Sequence, residues 1–261
     1  MIIKLASWNI NSIRLRIGLI EKFSNEFEID ILCLQECKCE EKDMPYEALK
    51  KIGYGYIYYR GQKSYNGVVI LSKFELKREE CFDFCSTNEA RHICCSTKEG
   101  IHIHNFYVPA GGNDPNPKSP KFDYKLKFLD AINSTFSGKK TSKTIILGDF
   151  NVAPYPIDVW SHQQMKNVVS HTEVETKKLK YLIETVGFKD VIREHMPGKK
   201  LYSWWSYRSR DWRKSNRGRR LDHIFSSHDI MGDFLSASVE KEIRDWFKPS
   251  DHVPVIATIN V

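Results

Sequence analysis

No apolar run in this 261-residue chain approaches the roughly 20 residues that cross a bilayer, so no membrane anchor is expected. The leading segment turns polar by Ser7, too early for a secretory signal, and a cytoplasmic location is the expectation. Low-complexity linkers are missing as well. With no boundary at which to divide it, the chain (1–261) is expected to form one domain with a substantial core. Cysteine is confined, all seven lying before residue 96. No CxxC pair answers a second one, which disfavours structural zinc and leaves reduced thiols in and around a core. A Ser or Cys nucleophile motif is also missing, so any chemistry falls to other groups.

What is present is a succession of short, β-branched apolar runs bounded by turns. Ile2–Ala6, Ile29–Leu34, Val68–Leu71, Ile101–Val108, Thr144–Leu147, Leu221–Phe225 and Val253–Ile259 read as buried strands. Helical spacing appears at Leu15, Leu19, Ile20, Phe23 and Phe27, again at Leu126, Leu129, Ile132 and Phe136, and at Leu179, Leu182, Ile183 and Val186, closed by Gly187. Strands and helices alternate throughout, which is an α/β pattern. Residues 2–9 and 144–151 echo each other weakly, each an apolar run ending in aromatic-Asn.

Acid is scarce in one place. From Lys199 to Arg220 nine Lys or Arg face a single acid, Asp211, with Tyr202, Trp204, Trp205, Tyr207 and Trp212 interleaved. Such a surface neutralises phosphates while stacking on sugars or bases, so nucleic acid is the leading partner. A Pro-rich excursion, Pro109 to Pro120, follows Tyr107 directly.

Polar residues collect where the apolar runs end: Asn9 and Asn11, Glu36, Tyr107, Asp149 and Asn151, Asp222, and Asp251-His252 just ahead of the last run. Strand ends are where α/β folds mount their chemistry. A set of Asn, Glu, Tyr, Asp and His there suits a hard cation acting on phosphate esters. Asp149 and Asn151 stand two apart, so on extended backbone both side chains face one way. A carboxylate and an amide so placed can deprotonate and orient a water.

Seven motifs, Trp8-Asn9-Ile10-Asn11, Leu34-Gln35-Glu36-Cys37-Lys38, Asn66-Gly67-Val68, Tyr107-Val108-Pro109, Gly148-Asp149-Phe150-Asn151-Val152-Ala153-Pro154, Arg220-Leu221-Asp222 and Ser250-Asp251-His252, occur in the order of the exonuclease III family. The chain resembles that family, which includes AP endonucleases of the endonuclease/exonuclease/phosphatase superfamily, from Lys4 to Ile259. The resemblance implies a four-layer α/β sandwich, two packed mixed β-sheets flanked by helices. It implies a monomeric, Mg²⁺-dependent DNA repair nuclease (Mn²⁺ as a substitute) that cuts double-stranded DNA on the 5′ side of abasic sites and from 3′ ends. The products would be 3′-hydroxyl and 5′-phosphate, without sequence specificity.

By the same resemblance Glu36 is the chief metal ligand with Asn11 beside it, and Asp251 serves a second or alternative metal position. Asp222 pairs with His252, Tyr107 bonds a phosphate oxygen or assists the leaving group, and Asn9 supports the site. Arg91, Lys118, Trp204, Tyr207, Arg208, Arg217, Arg220 and Leu221 are the expected DNA contacts. His252 serves either as an imidazolium that binds phosphate or as a neutral base. Two departures from the family pattern stand out. Cys37 replaces the usual Thr, and is either an oxidation-sensitive thiol or a buried inert one. Arg219 stands where some relatives line the abasic pocket with an apolar or aromatic residue. No role is apparent for Asp158 to Val174. The rivals are a lipid or inositol phosphatase and a retired nuclease scaffold. No exposed membrane-contacting segment supports the first, and the retained Glu36, Asp149, Asn151 and His252 oppose the second.

Overall fold

The computed structural model describes residues 1–137, 141–209 and 211–261. In chain order its strands are β1 (Ile2–Asn9), β2 (Ile31–Gln35), β3 (Tyr56–Arg60), β4 (Val68–Ser72), β5 (Lys77–Arg78), β6 (His92–Ser96), β7 (His102–Tyr107), β8 (Thr144–Asp149), β9 (Lys189–Asp190), β10 (Asp222–Ser226), β11 (Phe234–Val239) and β12 (Val255–Asn260). The α-helices are α1 (Ile17–Phe27), α2 (Tyr46–Ile52), α3 (Pro120–Phe136), α4 (His162–Met165), α5 (Glu173–Glu184), α6 (Val191–His195) and α7 (Trp212–Ser215). Every expected run lies on a strand. No helix is long and apolar enough to cross a membrane.

The strands form two six-stranded sheets, ordered β11-β12-β1-β2-β4-β3 and β5-β6-β7-β8-β10-β9. Each contains one parallel pair, β1–β2 or β7–β8, with antiparallel neighbours on both sides. The echoing segments are therefore equivalent central strands, β1 and β8, one from each sheet.

Alternation of side chains turns these strands into layers. Ile3, Leu5, Ile31, Cys33, Ile103, Ile145, Leu147, Ile224 and Val255 face inward and form the core between the sheets. The intervening residues face outward. Ala6, Trp8, Leu32 and Leu34 pack on Ile20 and Phe23 of α1 and Leu49 of α2. Phe106, Ile146 and Phe225 pack on Phe128, Leu129 and Ile132 of α3 and on Leu179 and Leu182 of α5. Helix, sheet, sheet, helix is the four-layer sandwich.

The sheet carrying the parallel pair β7–β8 is drawn tight at Gly148. A Cβ there would lie 1.9 Å from the Phe106 carbonyl oxygen, and φ is +134°. Only glycine meets both conditions, and it stands one residue before Asp149.

Candidate active site

Followed along the strands, the inward row changes character at one end of the sandwich. Apolar layers give way to Ser7, Gln35 and Asn105, all fully buried. Gln35 Nε2 donates to Ser7 Oγ (3.1 Å) and Asn105 Oδ1 (2.7 Å), and Asn105 Nδ2 donates to the Leu34 and Val69 carbonyls at 3.0 Å. This amide layer closes the core and is the floor of a cleft. One step further along the same rows stand Asn9, Tyr107, Asp149 and Asp222.

The loops leaving these strands turn sharply. Asn11 (φ 48°), Glu36 (φ 52°) and Asn151 (φ 53°) all adopt the left-handed conformation, which costs non-glycine residues energy and is held only where the surroundings compel it. The result is one connected cluster. Asn9 Nδ2 donates to Glu36 Oε1 (2.8 Å) and to Asp149 Oδ2 (2.9 Å). Asn151 donates its backbone N–H to Asp149 Oδ1 (2.9 Å) and its amide to Val108 O (2.9 Å) and Asp149 Oδ2 (3.2 Å). His252 Nδ1 lies 2.8 Å from Asp222 Oδ2, and its Nε2 lies 3.8 Å from Asp149 Oδ2. Ser203 Oγ steadies the turn at Asp222 by accepting the Leu221 and Asp222 N–H groups.

Charge in this buried cluster is strongly perturbed. Burial disfavours a charged His252, but the carboxylates of Asp222 and Asp149 outweigh it and hold the imidazolium well above the ordinary histidine range. Burial pushes the Asp149 carboxyl up toward neutrality, with Asp222 and Glu36 adding to it and His252 and Asn9 opposing. Glu36 goes the other way: despite burial, Lys38 keeps it ionised. Asp251 is likewise held below the usual carboxylate range by His252, Asn11 and Trp204 against the effect of burial. The Tyr107 phenol is raised by burial and by Glu36 and Asp149, so it keeps its proton.

Glu36, Asp149 and His252 bring ligand atoms within 4.8 Å of one another, the one such group of metal-ligating side chains among the described residues. For a hard cation the oxygens of this face are better donors than the imidazole. Lys38 marks them. Its Nζ sits 2.7 Å from both Glu36 Oε2 and Asn11 Oδ1, a cation already resting on a carboxylate and an amide oxygen. That donor set fits a hard divalent cation. Asp251 lies behind Asn11, accepting its amide N–H at 3.0 Å and the Trp204 Nε1–H at 3.0 Å.

Beside the cluster opens a cavity of about 470 Å³ lined by Glu36, Tyr107, Asn151, Trp204, Arg208, Arg219, Leu221, Asp251 and His252, among others. Ala110, Gly112 and Asn113 of the Pro-rich excursion form part of its rim. Tyr207 and Arg208 are exposed beside it, and Arg217 lies exposed over the Trp160 ring. Arg91 is half-buried, its guanidinium 4.9 Å from the Tyr107 ring. Lys118 is exposed on the excursion.

Arg220 requires correction as a DNA contact. It is fully buried, bonded through Nε (2.7 Å) and Nη2 (3.1 Å) to Asp158 and through Nη1 (3.0 Å) to Asp190. Its guanidinium is an internal strut that no phosphate can reach. Cys37 is fully buried in the core of the outer layer, and burial lifts its thiol well above the ordinary range, the environment expected of a buried rather than an oxidation-sensitive thiol.

Sequence reasoning missed a second buried pair. Lys125 of α3 and Glu175 of α5 are ion-paired with no exposed side-chain surface. Lys125 Nζ also donates to the Asn151 carbonyl at 2.7 Å, and Glu175 accepts the Ser170 N–H. Signals existed: Lys125 interrupts the apolar stripe Phe122, Leu126, Leu129, and Thr172-x-x-Glu175 is a capping box. The segment Asp158 to Val174 thereby acquires a place, since Asp158 anchors Arg220 while Val169 and Ser170 wall the cavity.

Comparison with known proteins agrees with this geometry. The chain belongs to the endonuclease/exonuclease/phosphatase family, whose profile matches residues 6–252. It is 28% identical to exodeoxyribonuclease III of Haemophilus influenzae over 97% of this chain and 98% of that one. Its structure superposes on an AP endonuclease from Archaeoglobus fulgidus with a TM-score of 0.92 at 32% identity, covering 99% of this chain and 100% of the other. A 3′ phosphatase from Neisseria bound to a product DNA hairpin gives 0.90 at 28% identity, with 99% and 100% coverage.

Proposed function

We propose that the protein is a Mg²⁺-dependent DNA repair nuclease that hydrolyses phosphodiesters at abasic sites and from 3′ ends, leaving 3′-hydroxyl and 5′-phosphate. The observation that carries this reading is the single buried cluster of Asp149, Asn151, Asn9, Glu36, His252 and Asp222, open on one side to a cleft rimmed with aromatic and cationic side chains.

A divalent cation held by Glu36 and Asn11 would lower the charge on the phosphate and stabilise the transition state. Asp251 aims the Asn11 amide and is available to an alternative metal position. Asp149, raised toward neutrality, suits a general base for water at physiological pH. The Asn151 amide N–H groups are taken by Val108 and Asp149, so its oxygen is the group offered to that water. His252, its Nδ1 held by Asp222, presents an Nε2–H to a phosphate oxygen as negative charge develops. The phosphate-binding role is therefore favoured over that of neutral base. Tyr107, kept protonated, donates to a phosphate oxygen or to the leaving O3′. Trp204, Tyr207, Arg208, Arg217 and Leu221, with Arg91 and Lys118, meet the DNA.

The test uses 5′-labelled duplex DNA with one abasic-site analogue, beside an intact duplex with a recessed 3′ end. Each is incubated with protein and Mg²⁺ and resolved on a denaturing gel, with EDTA and Glu36→Ala as controls. Cleavage lost in both controls is the expected result. Silence on both substrates would sink the nuclease reading.

A further inference from the structure

One side chain in the cavity does not match the walls around it. Trp204, Leu221 and Val169 present apolar surface, and Arg219 presents a guanidinium. The main chain of Arg219 is clamped: its N–H donates to Trp204 O (3.0 Å), and its carbonyl accepts the Ser203 (2.9 Å) and Trp204 (3.0 Å) N–H groups. The side chain lies over the Trp204 ring with Cζ 5.0 Å from the ring centroid. Nη1 donates to Val169 O (3.1 Å) and Ser170 Oγ (2.9 Å), while the Nε–H is buried without an acceptor. A planar cation is thus laid along the indole of the pocket, with hydrogen-bonding capacity left over.

We propose that Arg219 makes this pocket a receptor for a 3′-terminal nucleotide that keeps its base, favouring the trimming of base-bearing 3′ ends over incision at abasic sites. The inference rests on the nuclease reading and adds to it the group that fills the pocket. When a terminal phosphodiester is hydrolysed, water adds to phosphorus, the P–O3′ bond breaks, O3′ takes the proton, and a whole nucleotide departs with its 5′-phosphate. Its base offers a π face for a guanidinium and edge acceptors for the Nη2 N–H groups, which the bonds to Val169 and Ser170 do not use. A base-free deoxyribose offers no such face. It would strip water from the cation without stacking on it, and sites built around a polar group discriminate against occupants that leave it unpaired.

Three duplexes test this: one with a recessed 3′ end bearing a normal base, one with an internal tetrahydrofuran abasic analogue, and one with a 3′-phosphate end. The third refers each protein to itself, because only a phosphate oxygen lies beyond its scissile bond. The variants are Arg219→Met, which keeps length without charge, and Arg219→Lys, which keeps charge without the plane. The quantity read is the ratio of kcat/KM for trimming to kcat/KM for abasic incision, alongside 3′-phosphate removal. Wild type is expected to favour trimming, with Arg219→Met moving the ratio about tenfold or more toward abasic incision and Arg219→Lys falling between. An unchanged ratio overturns the inference. So does an equal fall on all three substrates, which would make Arg219 a prop for the wall at residues 169–170. A wild type that cuts none of the three, with Mg²⁺ present, fails the nuclease reading itself and the inference with it.

Discussion

Asp222 never faces the cleft directly, yet it sets the charge of the residue that does. Its 2.8 Å contact with His252 Nδ1 and the neighbouring Asp149 raise the imidazole to a pKa of about 10. Removing the carboxylate charge in Asp222→Asn leaves burial, which acts downward, opposed by less. Histidine NMR titration of the metal-free protein should show the His252 pKa falling from that value, and turnover at neutral pH should drop by about a hundredfold or more. Arginines invite a parallel comparison, because the run Lys199 to Arg220 looks uniform as sequence and is not. Arg217→Ala should lessen the slope of log affinity against log salt by about 0.9, one phosphate contact. Arg220→Ala strips Asp190 of its cation in the interior and leaves Asp158 with Arg193 alone. It should cost about 3–5 kcal/mol of stability, read by chemical denaturation. A count of cations along a chain does not distinguish these two, since the acids that bury Arg220 lie 62 and 30 residues away.

At the scale of elements, α3 and α5 do more than cover a sheet. Through Lys125 and Glu175 they hold the Asn151 carbonyl on one side and the Ser170 N–H on the other. Glu175→Ala should destabilise the fold by about 3–5 kcal/mol, because it strands a buried ammonium. Lys125→Met with Glu175→Leu should recover much of that loss in denaturant melts while leaving catalysis impaired. The strands show where legibility ends. All seven apolar runs became strands, and five strands went unseen. Four of these, β3, β5, β9 and β11, are the edges of the two sheets. An edge strand has solvent on one side and needs no continuous apolar run, so periodicity hardly registers it. The fifth, β6, reads His-Ile-Cys-Cys-Ser because its outward face joins a stack of His92, His104 and Phe106 rather than aliphatic side chains. The site was legible for the opposite reason: its residues sit where inward-facing apolar rows stop. Lys125, Glu175 and Asp158 owe their roles to tertiary partners and carried only local signatures.

Across the molecule as a whole, four histidines among the described residues, His92, His104, His171 and His223, are buried with burial holding their pKa below the ordinary value, and in His92, His104 and His223 the shift is large. Burial lowers His92, aided by His104 and Arg60. It pushes His104 down to about 3, aided by His102 and opposed by Glu79. His223 is pushed down to about 4 by burial and by Arg220. Their folded values lie below the unfolded value of about 6.5. The stability they contribute is therefore complete above that pH and is lost as pH falls toward the folded values. Each should steepen the acid loss by about 1.4 kcal/mol per pH unit in that window. Melting temperatures collected down to about pH 4.5 should fall accordingly, and His223→Gln should flatten the curve by one histidine's share.

The cleft also draws on both extremes of the sequence. β1, ending at Asn9, lies beside β12, and Asp251 and His252 stand just ahead of β12. β12 runs between β1 and β11 and adds Val255, Ala257 and Ile259 to the core between the sheets, so pairing this one strand both closes the sheet and brings the imidazole to the carboxylates. Fragments stopping short of residue 252 would accordingly lose the order of this sheet and cleavage together.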